Sequence, residues 1–95
     1  MPFVAPKERS RAFFIMYYVY LLRSLKDPNN TYSGYTTDLQ QRLEKHNSGS
    51  TIYSSDDRPW KLVSYIFFDE ESKALKFEKY LKKGSGHAFA RKRLW

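Results

Sequence analysis

Five side chains of this sequence, Tyr20, Tyr32, Arg42, His46 and Glu78, are of the types that phosphodiester hydrolysis uses. A divalent cation on Glu78, Mg2+ or Mn2+, would polarise the phosphate and steady the leaving 3′ oxygen. Arg42 would neutralise the charge that develops in the transition state, and a tyrosine aided by His46 would orient or deprotonate the attacking water. A free tyrosine has a pKa of about 10, so a tyrosine base needs neighbouring cations to lower it. Arg42 and His46 are expected to supply them.

Glu78 is the sharpest of the five. A helix is predicted over roughly 72–83, and stepping round it at about 100° per residue from Ala74 defines an apolar arc through Leu75, Phe77 and Leu81. Lys73, Lys76, Lys79 and Lys83 fall on the solvent side, with Lys82 at the margin. Glu78 lands inside the apolar arc, at about 40° from Ala74. A carboxylate on a buried face costs several kcal/mol unless it is paired or binds a cation. Two explanations compete: an ion pair with Arg42 or Arg23 that merely closes a small core, or a metal ligand in a cleft.

The elements that must position these residues are legible in outline. YYVYLLR, residues 17–23, is rich in aromatic and branched side chains and reads as a strand buried on both faces. The turn cluster SLKDPNN links it to a second short strand, TYSGY, residues 31–35, so the two form a hairpin. A helix follows, with Thr37 as its expected N-cap, Gln40 completing a capping box, and a stop at Asn47-Ser48-Gly49. Leu39, Arg42, Leu43 and His46 share one face of it. An arginine and a histidine on the face that meets the protein point to something anionic there. After a polar loop, WKLVSYIFF, residues 60–68, is the third strand, and the acidic run 69–72 opens the second helix in keeping with the helix dipole. That helix is expected to stop at Gly84-Ser85-Gly86, with a short terminal helix over 87–95. The order β-β-α-β-α-α predicts a small α/β (α+β) domain, a three-stranded sheet flanked by helices.

Composition narrows the function classes. Ninety-five residues make one domain, and a chain of this size buries only about 60–65% of its unfolded surface. The 8 tyrosines and 7 phenylalanines give that thin core much area per side chain. A formal charge of +7 and a pI near 9.7 favour a polyanionic partner, nucleic acid before an anionic membrane. The absence of cysteine excludes disulfides, iron–sulfur clusters and cysteine zinc sites, and two histidines do not make a histidine-rich one. Any metal must therefore be a hard cation held by carboxylate and water. No apolar run approaches the ~18 residues of a membrane span, and the cytoplasm is the expected compartment. Residues 1–15 lack the apolar core of a signal peptide and are read as an N-terminal extension, with the domain proper over 16–95.

At these residues the sequence resembles the GIY-YIG nuclease superfamily, and especially its small single-domain bacterial members of the UPF0213 type. Tyr18-Val19-Tyr20 stands where the first motif would be, with Tyr20 matching its tyrosine, and Tyr32-Ser33-Gly34 looks like the second. Arg42 and His46 match the family's helix residues in type and spacing, and Glu78 matches its single metal-binding glutamate. The tail from Glu78 to Leu94 also resembles that of many small members. There are departures. The glycine of the first motif is Tyr18, the middle residue of the second is Ser33, and no asparagine follows Glu78, where larger members carry one.

The resemblance implies a Mg2+- or Mn2+-dependent endonuclease acting on DNA, including branched, damaged or flap-like DNA of the kind met in repair. A homodimer or a protein partner would let so small a domain cut both strands. Lys82, Lys83, His87 and the run Arg91-Lys92-Arg93 read as a basic surface for the nucleic-acid backbone, with Tyr53 in the polar loop reaching a phosphate. Each residue also has a plainer reading: Tyr20 and Tyr32 as core aromatics, His46 as a helix-end cation, Tyr53 as a surface loop residue. The competing functional reading is a non-catalytic nucleic-acid-binding module on the same fold. A third is an interaction domain in which a buried Glu78–Arg42 pair is only scaffolding.

Overall fold

The computed structural model describes residues 15–49 and 55–95. Strands β1 (Tyr17–Ser24), β2 (Thr31–Thr36) and β3 (Trp60–Phe68) form one antiparallel sheet in the order β2-β1-β3. Helices α1 (Leu39–Ser48), α2 (Glu71–Tyr80) and α3 (Gly84–Arg93) complete the predicted order. None of these helices is long and apolar enough to cross a membrane.

β1 is central, so its alternating side chains must satisfy two layers. Val19 and Leu21 point to one face, where they pack with Ala74 and Leu81 of the α2 segment and Ala90 of α3. Tyr20 and Leu22 point to the other, packing with Trp60 and with Leu39 and Leu43 of α1. This explains the unbroken apolar run of β1: both of its faces are buried, as the sequence predicts. β3 reaches the same result with a register shift. Leu21 pairs with Ser64 but Leu22 pairs with Leu62, leaving Val63 as an extra residue. The bulge reverses the alternation, so that Trp60 and Leu62 before it and Tyr65 and Phe67 after it lie on the α1 face.

Two helix boundaries differ from expectation. Asp38, not Thr37, caps α1: its Oδ1 accepts from the Gln41 amide at 3.0 Å. Thr36 sets this up, its hydroxyl accepting from the Asp38 amide at 3.0 Å and turning the chain one residue later. The second boundary is the Gly84-Ser85-Gly86 run, which is the first turn of α3 and not a helix stop. α2 has already ended at Tyr80, and a Cβ on Gly86 would lie 2.5 Å from the Tyr80 carbonyl carbon, so only glycine lets α3 start this close to α2.

Candidate active site

The site is built at the α1 face of β1 and reaches round the edge of β2. Tyr20 sits in the middle of β1, 2% exposed, directly opposite Gly34 on β2. Its ring lies across the glycine: a Cβ at Gly34 would come within 2.6 Å of the Tyr20 ring carbon that bears the hydroxyl. The Tyr-x-Gly pattern of β2 therefore has a steric cause. Tyr32 is paired with Leu22 on the same face, and the glycine two residues on leaves room for Tyr20 to lie over the strand.

α1 brings the next two residues. His46, 1% exposed, is the one buried residue of a helix otherwise rich in charge, and its Nε2 lies 3.0 Å from the Tyr20 hydroxyl. The imidazole also sits against Tyr32, with ring centroids 4.8 Å apart. Arg42, one turn earlier, stands close enough to the Tyr20 hydroxyl to favour its ionised form and reaches the Tyr35 carbonyl at 3.4 Å. Asn47 locks the helix end to β3 by a pair of bonds, donating to the Trp60 carbonyl at 3.1 Å and accepting from the Trp60 amide at 2.5 Å. Sequence reasoning missed it. The only signal was an asparagine next to the site histidine.

Burial decides the protonation states here, against the sequence expectation. Desolvation pushes Tyr20 up to about 12, outweighing the lowering influence of Arg42. The same desolvation, with the nearby Arg42 charge, lowers His46 below the ordinary histidine range. At neutral pH the pair is thus a protonated phenol beside a neutral imidazole. His46 carries no positive charge that could depress a tyrosine.

α2 contributes Glu78, partly buried as its helical position predicts and close enough for its charge to act on Tyr20. Its partner is neither of those considered from the sequence. Lys82, one turn on, holds the Glu78 carboxylate at 2.9 Å, while Arg23 donates to the Trp95 carbonyl at 3.0 Å and Arg42 serves Tyr20 and Tyr35. An i, i+4 pair within one helix satisfies the carboxylate without drawing a distant arginine into the core. Lys82 is correspondingly committed. Its ammonium also donates to the Ser33 carbonyl at 3.2 Å and stands 5.7 Å from the centre of the Tyr32 ring, which ties this exposed lysine to the site.

The donor chemistry at Glu78 fits a hard divalent cation. A cationic ammonium already sits on the carboxylate, and among the described residues no group of three or more acid or histidine side chains converges. A cation on Glu78 would be held by that one carboxylate with water and substrate oxygens completing its shell, the manner in which Mg2+ is bound. The remaining predicted contacts, Tyr53 aside, are on or next to α3. Lys83, His87, Arg91, Lys92 and Arg93 are all exposed, His87, Arg91, Lys92 and Arg93 being on α3 and Lys83 just before it. Tyr53 is outside the described residues.

Comparison with known proteins places the fold and the sequence in one family. A family model described as the GIY-YIG catalytic domain matches residues 16–92. A UPF0213 protein of Clostridium perfringens is 39% identical over 69 residues, which are 72% of each chain. The structure-specific endonuclease subunit slx1 of Talaromyces marneffei is 41% identical over 68 residues, 65% of this chain but 18% of that protein. Among solved structures, the solution NMR structure of a UPF0213 protein from Bacillus halodurans superposes with a TM-score of 0.50 at 33% identity, covering 81% of both chains.

Proposed function

The chain belongs to the GIY-YIG catalytic domain family, and from that premise we propose that its residues 16–95 form an endonuclease that hydrolyses phosphodiester bonds in DNA with Mg2+ or Mn2+. The observation that carries the reading is the Tyr20 hydroxyl, which meets the His46 imidazole at 3.0 Å with the Arg42 and Glu78 charges close enough to act on it. A protonated tyrosine cannot take a proton unless it gives one up, and His46 is placed to receive it. As water attacks phosphorus, its proton passes to the Tyr20 oxygen while the Tyr20 proton moves to His46 Nε2. Arg42 steadies the phenolic oxygen during the transfer and stands ready for the charge on the phosphate. Tyr32 flanks the imidazole and fixes its plane.

Glu78 would hold the cation, which when bound would supply Lewis-acid stabilisation of the phosphate and of the leaving oxygen. Lys82 holds the carboxylate in place at 2.9 Å. The substrate class follows from the charge of +7 and from the structure-specific endonuclease subunits among the relatives. A branched or otherwise irregular DNA is thus the substrate to try first, with a partner protein or a second copy to cut the opposite strand.

The test is nicking of supercoiled plasmid with manganese, wild type beside Glu78→Ala and Arg42→Ala. Nicking by the wild type alone supports the proposal. Equal nicking by all three would assign the activity to a contaminant. Binding by all three without nicking would identify a binding module on a nuclease fold.

A further inference from the structure

Beyond the centre, the opposite end of the β2 edge carries a basin of about 510 Å³. Arg23 of β1, Thr31 of β2, Asn29 of the hairpin loop, and His87, Arg91 and Trp95 of the C-terminal segment line it. Four separate parts of the chain therefore converge on it, and no Asp or Glu side chain lines it. Arg23 is held in place from behind by its bond to the Trp95 carbonyl, and Trp95 is pinned in turn by its indole N–H on the Leu22 carbonyl at 3.1 Å. His87 and Arg91, four apart on α3, share one face, and among the described residues neither side chain makes a hydrogen bond or an ion pair. Two guanidinium groups facing one basin, one of them fixed and the other uncompensated, are suited to a phosphate, which Arg binds through paired N–H donors.

The basin is not isolated. A shallower groove of about 270 Å³ shares Thr31, His87 and Trp95 with it and runs on to Tyr32, Ser33 and Lys82, the residues at the rim of the catalytic centre. The two together make a continuous path along the β2 edge from Glu78 and Lys82 to Arg91. We propose that this basin is a second phosphate site, holding a backbone phosphate of the same strand away from the scissile one and so laying the strand along β2. The inference rests on the reading that the substrate is nucleic acid. It separates Arg91 from its neighbours Lys92 and Arg93, which the sequence groups into one basic run, since neither of these lines the basin.

That separation is the test. Arg91→Gln and Lys92→Gln remove the same charge from the same last turn of α3, so helix dipole and net charge change equally. Binding of a fluorescent single-stranded oligonucleotide is measured by anisotropy without metal, so cleavage plays no part, over a range of salt. Arg91→Gln should weaken binding about tenfold and make the slope of log K against log salt shallower by about 0.7, the value for one phosphate contact on a single strand. Lys92→Gln should weaken it less than about twofold. Equal losses in the two variants would overturn the site and leave only diffuse surface charge. A wild type that binds and nicks while Arg91→Gln matches it in affinity would also sink the basin, with the catalytic reading intact. No binding by the wild type would sink both.

Discussion

The two faces of β1 are built from alternate residues of one strand, yet they are closed in different ways. On the α2–α3 face Val19 and Leu21 meet Ala74, Leu81 and Ala90, all at most 1% exposed, and the layer is hydrocarbon. On the α1 face Tyr20 and Leu22 meet Trp60, and the closing helix inserts His46 where a core residue would be expected, with Arg42 beside it. That helix spans ten residues, about 15 Å, and leaves Tyr65 and Phe67 open on the same face. One face thus supplies the packing that a small domain depends on. The other gives up packing to keep a phenol and an imidazole dry and fixed, with a half-buried guanidinium beside them. The polar groups on it are all satisfied, since no buried side-chain polar atom among the described residues lacks a hydrogen bond.

If this division holds, substitutions on the two faces should separate activity from stability. The largest effect is expected at Glu78→Gln, which removes the cation's carboxylate and should lower plasmid nicking by about 10³-fold or more, corresponding to several kcal/mol of transition-state stabilisation. Thermal melting of that variant should stay close to the wild type, as the Lys82 pair it loses is partly solvent-exposed. Tyr20→Phe keeps the ring and deletes the hydroxyl between Arg42 and His46, so nicking should fall by roughly 10²–10³-fold. Its stability cost, read by urea denaturation, should be only about 1–2 kcal/mol. A Tyr20→Phe protein that still cuts at the wild-type rate would remove the proton relay.

Across the strand, Leu21→Ala should do the reverse. Emptying a fully buried leucine costs about 2–5 kcal/mol, while the cleavage rate per folded molecule should be unchanged. Gly34→Ala sits between the two classes. The added Cβ must displace the Tyr20 ring, costing about 1–3 kcal/mol, and activity should drop with it, whereas Ser33→Ala should alter neither greatly.

The smallest effect is pH dependence. His46 has a folded pKa below its unfolded value of about 6.5, so its contribution is complete above that pH and is lost as pH falls through it. Tyr20 has the opposite sign: raised to about 12, it contributes fully below about 10 and loses that contribution between the two values. Urea midpoints should therefore decline below about pH 6.5, and His46→Gln should flatten that limb. A decline of the same size in His46→Gln would place the titrating group elsewhere.

Much of this was legible in the sequence for reasons that can be named. The run through β1 could only be a strand buried twice, because it has no polar phase, and the apolar arc of α2 placed Glu78 on the inward side whatever its partner. The spacing of Arg42 and His46 set both on one face of α1. The misplaced features were those decided by a competing local partner: Asp38 displaced Thr37 as cap because Thr36 turned the chain first, and Gly84–Gly86 became a helix start because α2 left room only for glycine. The bulge at Val63 left one trace in the β3 sequence: its polar residues Lys61 and Ser64 are three apart, yet they share a face.

The sequence by itself determined the residue types, their order and their faces, because helical and strand periods follow from local backbone geometry. Only the tertiary structure decided what those residues are at neutral pH and which of them touch. Lys82, not a distant arginine, took Glu78, and the closing of α1 over β1 left Tyr20 protonated and His46 neutral. Partner choice and desolvation are properties of the assembled layers. A charge pattern along the chain does not contain them, because they depend on how much water the packing leaves beside each group.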